Sequence, residues 1–293
     1  MDPKIIAAIV SAIVSIIVVI LSFSLRSIFD RYFHLFKLES EHKYEQRKQI
    51  KNILSKNKIH LINAAETLNH RLWNFSNNYE KKWHTIRDYY TDVEKQNYFI
   101  SFVYRFIAFF AWQKKLDNEM IFLDTTIASD DDLVMIKYFK LFQQIMCDTR
   151  LFESYSYDIS KANDHFFNNN FEEMISMFIK DRDDRIVQYA HFKEEINEYI
   201  PTIEPIMNFI NGISPDEERF RWEKLQILHI CLLAFLNKYG YDYQYTSSTK
   251  LIILAKKYSK NRLLSNFKKI VSEYKLEKQN ELKETIEIFE KYA

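Results

Sequence analysis

The residues best suited to binding chemistry lie near the C-terminus of this 293-residue chain. Three tyrosines alternate at Tyr241, Tyr243 and Tyr245, and the stretch 250–272 that follows contains no acidic residue. Lysine and arginine neutralise phosphate, and exposed aromatic rings stack on bases. This stretch, called the basic segment below, therefore predicts a surface that binds a nucleotide or oligonucleotide. The alternatives are contact with an anionic membrane leaflet and a solvated helical face. Its seven basic residues are Lys250, Lys256, Lys257, Lys260, Arg262, Lys268 and Lys269.

A second set of residues is of the type used in acid–base chemistry. Five residues separate Arg185 from His191. The spacing resembles the R-x(4–6)-H motif of the all-helical HEPN ribonucleases, and the resemblance implies that the two side chains would cooperate in cleaving RNA. The position after the arginine, often polar in that family, is Ile186 here. Because roughly one such match is expected by chance in a chain of this composition, the ribonuclease stays an alternative.

The composition argues against several other kinds of site. Two glycines in the whole chain are too few for a glycine-rich phosphate cradle. A net charge of +1 argues against a protein that coats nucleic acid. There is no H-E-x-x-H motif, and Cys147 and Cys231 form no C-x-x-C pair. The sequence therefore predicts no metal site and no cofactor, and it predicts that both cysteines are buried and reduced.

The elements that must position these residues are helices. Average usage would give about twenty glycines, and strands need glycine in their turns. The two glycines and four prolines of the chain therefore predict an all-α fold. Apolar residues at helical spacing predict a helical bundle in two parts, 59–148 and 171–293, with the polar region 149–170 as the boundary.

The most apolar stretch inside that bundle is the run from Tyr98 to Trp112. It has fifteen residues with Arg105 in the middle, and a central arginine is costly in lipid. We therefore expect a buried helix at the centre of the bundle, with Arg105 paired to a carboxylate, and not a second membrane span.

Several residues predict where helices begin and end. Ser129 has the spacing of an N-cap for a helix that opens with acidic residues. Pro201 and Pro205 are expected to interrupt a helix, and Ser214 is expected to cap the start of the next one. Gly240 is expected to end that helix.

The N-terminus predicts a membrane anchor. The nineteen residues from Ile5 to Phe23 contain no charge, proline or glycine. As a helix they are roughly 28 Å long, close to the hydrocarbon thickness of a bilayer. We therefore expect a transmembrane anchor over 1–24 and a juxtamembrane helix or stalk over 25–58. A cleavable signal peptide is the alternative, although no A-x-A site follows the apolar run.

The charges beside the anchor predict its orientation. Basic residues follow the apolar run, whereas only Lys4 precedes it. The positive-inside rule therefore places the N-terminus outside and the C-terminal domain in the cytoplasm. The basic residues are Arg26, Arg31, Lys37 and Lys43.

The polar and small residues of the anchor share one helical face. Because successive residues turn by 100°, they fall within roughly 100° of arc. Small residues let helices approach closely, so this stripe predicts self-association or the wall of a pore. The alternative is that the hydroxyls bond to carbonyls of their own helix. The stripe consists of Ala8, Ser11, Ala12, Ser15 and Ser22.

The residues 65–75, 101–112 and 120–124 resemble a set of bacterial proteins with an N-terminal membrane anchor. The resemblance implies a single-pass protein of the bacterial inner membrane and implies no activity. The architecture is also similar to single-pass membrane effectors of anti-phage systems. We therefore expect a self-associating effector or sensor that permeabilises the membrane under control of a phosphate-containing ligand or a partner. A membrane-anchored HEPN-like ribonuclease and a non-catalytic scaffold are the alternatives.

Overall fold

The computed structural model describes residues 2–89, 96–180, 185–258 and 261–293. Helices account for 76% of the structure. Within those residues the strands are short: β1 (Ile179–Lys180) pairs antiparallel with β2 (Arg185–Ile186). The all-α prediction is therefore confirmed. The chain divides into two compact units, Met1–Lys51 with Leu123–Ala128, and Asn52–Phe122 with Ser129–Ala293.

The first unit contains the N-terminal part of α1 (Pro3–Asn78) and a short 3-10 helix, Thr125–Ile127. Residues 2–45 are all exposed. α1 includes a stretch with a mean hydropathy of 3.1 that is long and apolar enough to cross a membrane, a test of length and composition that a signal sequence also passes. At the other end of the unit, Arg47 Nε donates a hydrogen bond of 2.6 Å to the Ile127 carbonyl.

The second unit contains the C-terminal part of α1 and the helices that follow it. The boundaries of these helices are α2 (Asn97–Glu119), α3 (Asp130–Cys147), α4 (Asn168–Ser176), α5 (Tyr189–Glu194), α6 (Ile196–Ile210), α7 (Arg221–Tyr239), α8 (Ser248–Ala255), α9 (Leu264–Glu273) and α10 (Asn280–Tyr292).

The core of the second unit is built around α2 and α7. Every residue of α7 except Asn237 and Lys238 is buried, and α7 packs against α3 and α10. The ring of Phe75 in α1 lies 5.5 Å, centroid to centroid, from Phe102 of α2 and also from Trp222 of α7. Full burial of one such side chain contributes about 1.5–3 kcal/mol. The prediction of a buried central helix over 98–112 is confirmed.

Several predicted helix ends agree with the structure. α3 begins directly after Ser129, whose hydroxyl accepts a hydrogen bond of 3.3 Å from the Asp132 amide. α7 ends at Tyr239 with Gly240 as its C-cap. The region 149–170, predicted as a boundary, contains two 3-10 helices, Thr149–Phe152 and Ile159–Lys161, and the first residues of α4, which begins at Asn168.

The predicted helix start at Ser214 is wrong, since α7 begins seven residues later at Arg221. Ser214 does accept a local hydrogen bond of 3.2 Å from the Asp216 amide. The amide of Phe220, which precedes α7, instead donates to Asp164 Oδ2 at 3.0 Å, 56 positions away along the chain. A tertiary partner therefore takes the role that the local pattern assigned to Ser214.

The predicted interruption at Pro201 and Pro205 is also wrong, because α6 contains both prolines. A proline inside a helix costs about 3 kcal/mol. The apolar face of α6 is buried at Ile200, Ile203 and Ile206. Since tertiary packing of an apolar face supplies most of the stability of a helix, this burial outweighs the cost.

The expectation that Arg105 pairs with a carboxylate is wrong for the part of the chain that the structure describes, where Arg105 makes no ion pair. Arg105 is half-buried, and its charged neighbour is another arginine, Arg71.

Candidate functional site

Three residues of the basic segment are neutralised by carboxylates from other parts of the chain. Arg262 pairs with Glu223 of α7. Lys268 lies 2.7 Å from Glu290 of α10, and Lys269 lies 2.9 Å from Glu153. The absence of acids within the segment is therefore partly compensated in the folded protein.

The other basic residues of the segment have different surroundings. Lys257 Nζ contacts the side-chain oxygen of Asn77. Lys256 Nζ lies 6.0 Å above the ring of Tyr292. Lys250 is exposed and lines a cavity, and Lys260 lies outside the described residues. Among the residues that the structure describes, Lys250, Lys256 and Lys257 make no ion pair, so the predicted surface is divided into separate sites.

Lys250 lines a cavity of about 400 Å³, called the tyrosine cavity below. The size falls within the roughly 300–1,000 Å³ that small-molecule sites occupy. One wall comes from α1, another from the loop between α7 and α8, and a third from the start of α8. The lining residues are Glu66, Asn69, His70, Trp73, Leu236, Tyr243, Gln244, Tyr245, Thr246, Lys250 and Ile253.

The tyrosine loop is held in place by side-chain hydrogen bonds. Gln244 Oε1 accepts from the Tyr241 amide at 2.8 Å, and Gln244 Nε2 donates to Glu66 Oε2 of α1 at 2.8 Å. A Cβ on Gly240 would lie 2.5 Å from the Leu236 carbonyl and 2.7 Å from Gln244 Oε1. Gly240 is therefore required for this close approach.

The rings at the mouth of the tyrosine cavity are open to solvent. Tyr243 is 73% exposed and Tyr245 is 51% exposed. Tyr243 also stacks on Tyr241, with ring centroids 5.6 Å apart and an interplanar angle of 12°. Lys250 supplies a positive charge and Glu66 a carboxylate. The cavity thus combines ring faces, a cation and an acceptor for hydroxyl groups.

A second, more polar cavity of about 600 Å³ lies beside α6. Its arginines are balanced, since Arg219 Nε lies 2.7 Å from Asp164 and Arg221 pairs with Glu217 at 2.5 Å. His165 lines it, and burial lowers the pKa of this histidine to about 4, with the charge of Lys224 acting in the same direction. These partners give the cavity walls little free charge.

The acid–base residues of the HEPN resemblance lie on different elements. Arg185 is exposed on β2, and His191 lies on α5 with Nε2 3.2 Å from Glu195. Within the described residues neither a hydrogen bond nor an ion pair joins Arg185 to His191. The structure therefore adds no geometric support for the ribonuclease alternative.

The stripe in the anchor shows the intrahelical bonds considered above. Ser15 Oγ donates to the Ser11 carbonyl at 2.9 Å, and Ser22 Oγ donates to the Val18 carbonyl at 2.7 Å. The exposed faces of Ala8 and Ala12 are small. A close approach by a second helix remains sterically open along this face.

The cysteines are unsuited to chemistry. Both are free and buried, as predicted. Burial raises the pKa of the Cys147 thiol to about 12 and that of Cys231 well above its usual value. Since the thiolate is the reactive form, both behave as small apolar side chains. No three His, Cys, Asp or Glu side chains within the described ranges are placed to share a metal ion.

Comparison with known proteins gives no relative to add to this geometry. No family model matches the chain, and neither the curated proteins nor the solved structures contain a match.

Proposed function

We propose that this protein is a membrane-anchored, self-associating effector or sensor that responds to a nucleotide. The candidate span in α1 anchors it in the bacterial inner membrane with the N-terminus outside and the helical domain in the cytoplasm. The apolar run in an exposed helix supports the anchor, and the basic residues after that run support the orientation.

The observation that carries the proposal is the tyrosine cavity. Tyr243, Tyr245 and Trp73 offer ring faces to a base, and base stacking on an aromatic side chain contributes about 1–3 kcal/mol. The ammonium group of Lys250 suits a phosphate, and the carboxylate of Glu66 can accept hydrogen bonds from ribose hydroxyls. These groups line one cavity of suitable size, which matches the parts of a nucleotide.

Ligand binding can be coupled to the anchor because α1 supplies one wall of the tyrosine cavity. Glu66, Asn69, His70 and Trp73 belong to α1, the same continuous helix that contains the candidate span. A ligand that binds better to one arrangement of α1 shifts the population toward that arrangement. Association along the stripe then assembles the anchors into a structure that permeabilises the membrane, as a device of anti-phage defence would require.

Dye release from liposomes that contain the full-length protein tests this function. We expect purine and pyrimidine nucleotides, screened singly, to include at least one that accelerates release. Lys250→Gln should lower the affinity for that nucleotide by about tenfold, the loss of one charge-assisted hydrogen bond. Lys278→Gln, which changes an exposed lysine outside the cavity, is the matched control.

Variants in the anchor test, in the same assay, whether the stripe is needed for dye release. A double variant, Ala12→Leu with Ser15→Ile, should retain nucleotide binding but lose release, whereas Ile16→Leu should retain both. Release that is unaffected by nucleotides, or that is equal in the wild type and the double variant, would contradict the proposed function.

A further inference from the structure

Two arginines lie near each other where α1 meets α2. Arg71 Nη2 donates a hydrogen bond of 2.6 Å to Ser101 Oγ, and the guanidinium carbon of Arg71 lies 4.0 Å from the ring centroid of Tyr98. Tyr98, Ser101 and Arg105 are spaced by three and four residues on α2, so they share one helical face. The guanidinium of Arg71 is therefore about one helical turn from Arg105. We call Arg71 and Arg105 the arginine pair.

Both members of the arginine pair are withdrawn from water. Arg71 is only 9% exposed, and its Nε is buried without a hydrogen-bond partner. Arg105 is half-buried. Burial lowers the pKa of Arg105, and the charge of Arg71 lowers it further. An unsatisfied N–H and two like charges in such surroundings raise the free energy of the folded state.

No carboxylate offsets these charges in the described part of the chain, where neither Arg71 nor Arg105 makes an ion pair. The surrounding helix segments contain no acidic residue from Thr67 to Tyr79 of the first and from Asn97 to Leu116 of the second. Other arginines of this unit do have carboxylate partners, for example Arg219 with Asp164 and Arg262 with Glu223.

We propose that the arginine pair binds a phosphate group. A guanidinium presents a planar fork of N–H donors that matches phosphate oxygens. Two guanidinium groups match the double negative charge of a phosphate monoester. Such an anion would offset the repulsion between the two arginines. The neighbouring tyrosines, Tyr98 and Tyr189, lie close enough to Arg105 to interact with it electrostatically.

This site is separate from the tyrosine cavity, with which it shares no residue. The two proposals can therefore fail independently. Arg105→Gln tests the arginine pair because it removes one charge while the hydrogen bond from Arg71 to Ser101 can persist. Lys278→Gln serves as the matched control, since it removes one exposed charge that belongs to neither site.

The measurement is thermal unfolding of the full-length protein in a nonionic detergent, with inorganic phosphate replacing chloride at constant ionic strength. An anion that binds only the folded state raises the Tm in proportion to the logarithm of its concentration. We expect this rise in the wild type and in Lys278→Gln. In Arg105→Gln we expect phosphate affinity to fall by at least about tenfold, as for the loss of one charge-assisted contact.

In the same titration, the Tm of the wild type and the Tm of Arg105→Gln should change order as the phosphate concentration rises. Without phosphate, Arg105→Gln should unfold at a Tm equal to or above that of the wild type, because the like-charge repulsion is gone. At high phosphate the wild type should be the more stable protein. An equal phosphate response in the wild type and Arg105→Gln would overturn the site, as would a response that is lost in Lys250→Gln and kept in Arg105→Gln.

Discussion

The basic segment and the arginine pair differ in where their positive charges cluster, in the sequence or in the fold, and in whether carboxylates neutralise them. The segment concentrates seven basic residues along the sequence, yet in the fold Arg262, Lys268 and Lys269 each meet a carboxylate. Arg71 and Arg105 are 34 positions apart in the sequence. In the fold they lie together with no carboxylate partner among the described residues.

Charge density along the chain is therefore a poor guide to the local electrostatic field. An acid-free stretch draws its counter-charges from other helices, as Glu223 and Glu290 show. A buried charge is costly unless it is paired, so an arginine left unpaired in half-buried surroundings is the stronger indication of a missing anion.

The largest expected effect is the loss of stability when a buried histidine, His229, gains a positive charge that has no counter-charge beside it. His229 is fully buried between Tyr258, 2.7 Å from Nδ1, and Asn69, 2.9 Å from Nε2. Burial lowers its pKa to about 3 from an ordinary value of 6.5. The unfolded chain therefore binds a proton that the folded chain does not, and stability is present above pH 6.5 and lost as the pH falls toward 3.

For His229 alone, acidification from pH 6.5 to about pH 4.5 should lower the free energy of unfolding by roughly 2–3 kcal/mol. Denaturant unfolding across this pH range measures the loss. His229→Gln should show a shallower slope, with the remainder coming from His84 and His165, whose pKa values burial also lowers. An identical slope in the variant and the wild type would contradict the assignment.

A smaller loss of unfolding free energy is expected when the ion pairs between the basic segment and other helices are broken. Arg262→Ala leaves Glu223 with a buried, unpaired carboxylate, and we expect a loss of about 2 kcal/mol in unfolding free energy. Lys268→Gln breaks a pair whose members are both more than one-third exposed, so its cost should stay below about 1 kcal/mol. Equal costs for the two variants in denaturant unfolding would refute this ranking.

Much of the fold could be predicted because its signals are local. The apolar run after Ile5 and the shortage of glycine indicate a long exposed helix and an all-α fold. The cap at Ser129 and the stop at Gly240 depend on neighbours a few residues away. The start of α7 could not be predicted, because the partner of the Phe220 amide is Asp164.

The candidate sites were less predictable for the same reason. The tyrosine alternation and the basic segment indicate Tyr243 and Lys250, but the wall that α1 contributes through Trp73 has no signal near them in the sequence. The sequence marks Arg105 as a charge within an apolar run and predicts a carboxylate partner for it, which the described residues do not supply. The sequence around both Arg71 and Arg105 contains no acidic residue, which is the signal for the arginine pair. This signal can be interpreted only when the contact between α1 and α2 is known.

The location of bound oxyanions in crystals of the full-length protein shows most directly whether Arg71 and Arg105 form an anion site. Crystals soaked in arsenate, an anomalously scattering analogue of phosphate, would show each bound anion in a difference map. We predict a peak between the guanidinium groups of Arg71 and Arg105 and none beside Arg262, Lys268 or Lys269. Peaks beside those three residues, with none at the arginine pair, would contradict the assignment of the anion site to Arg71 and Arg105.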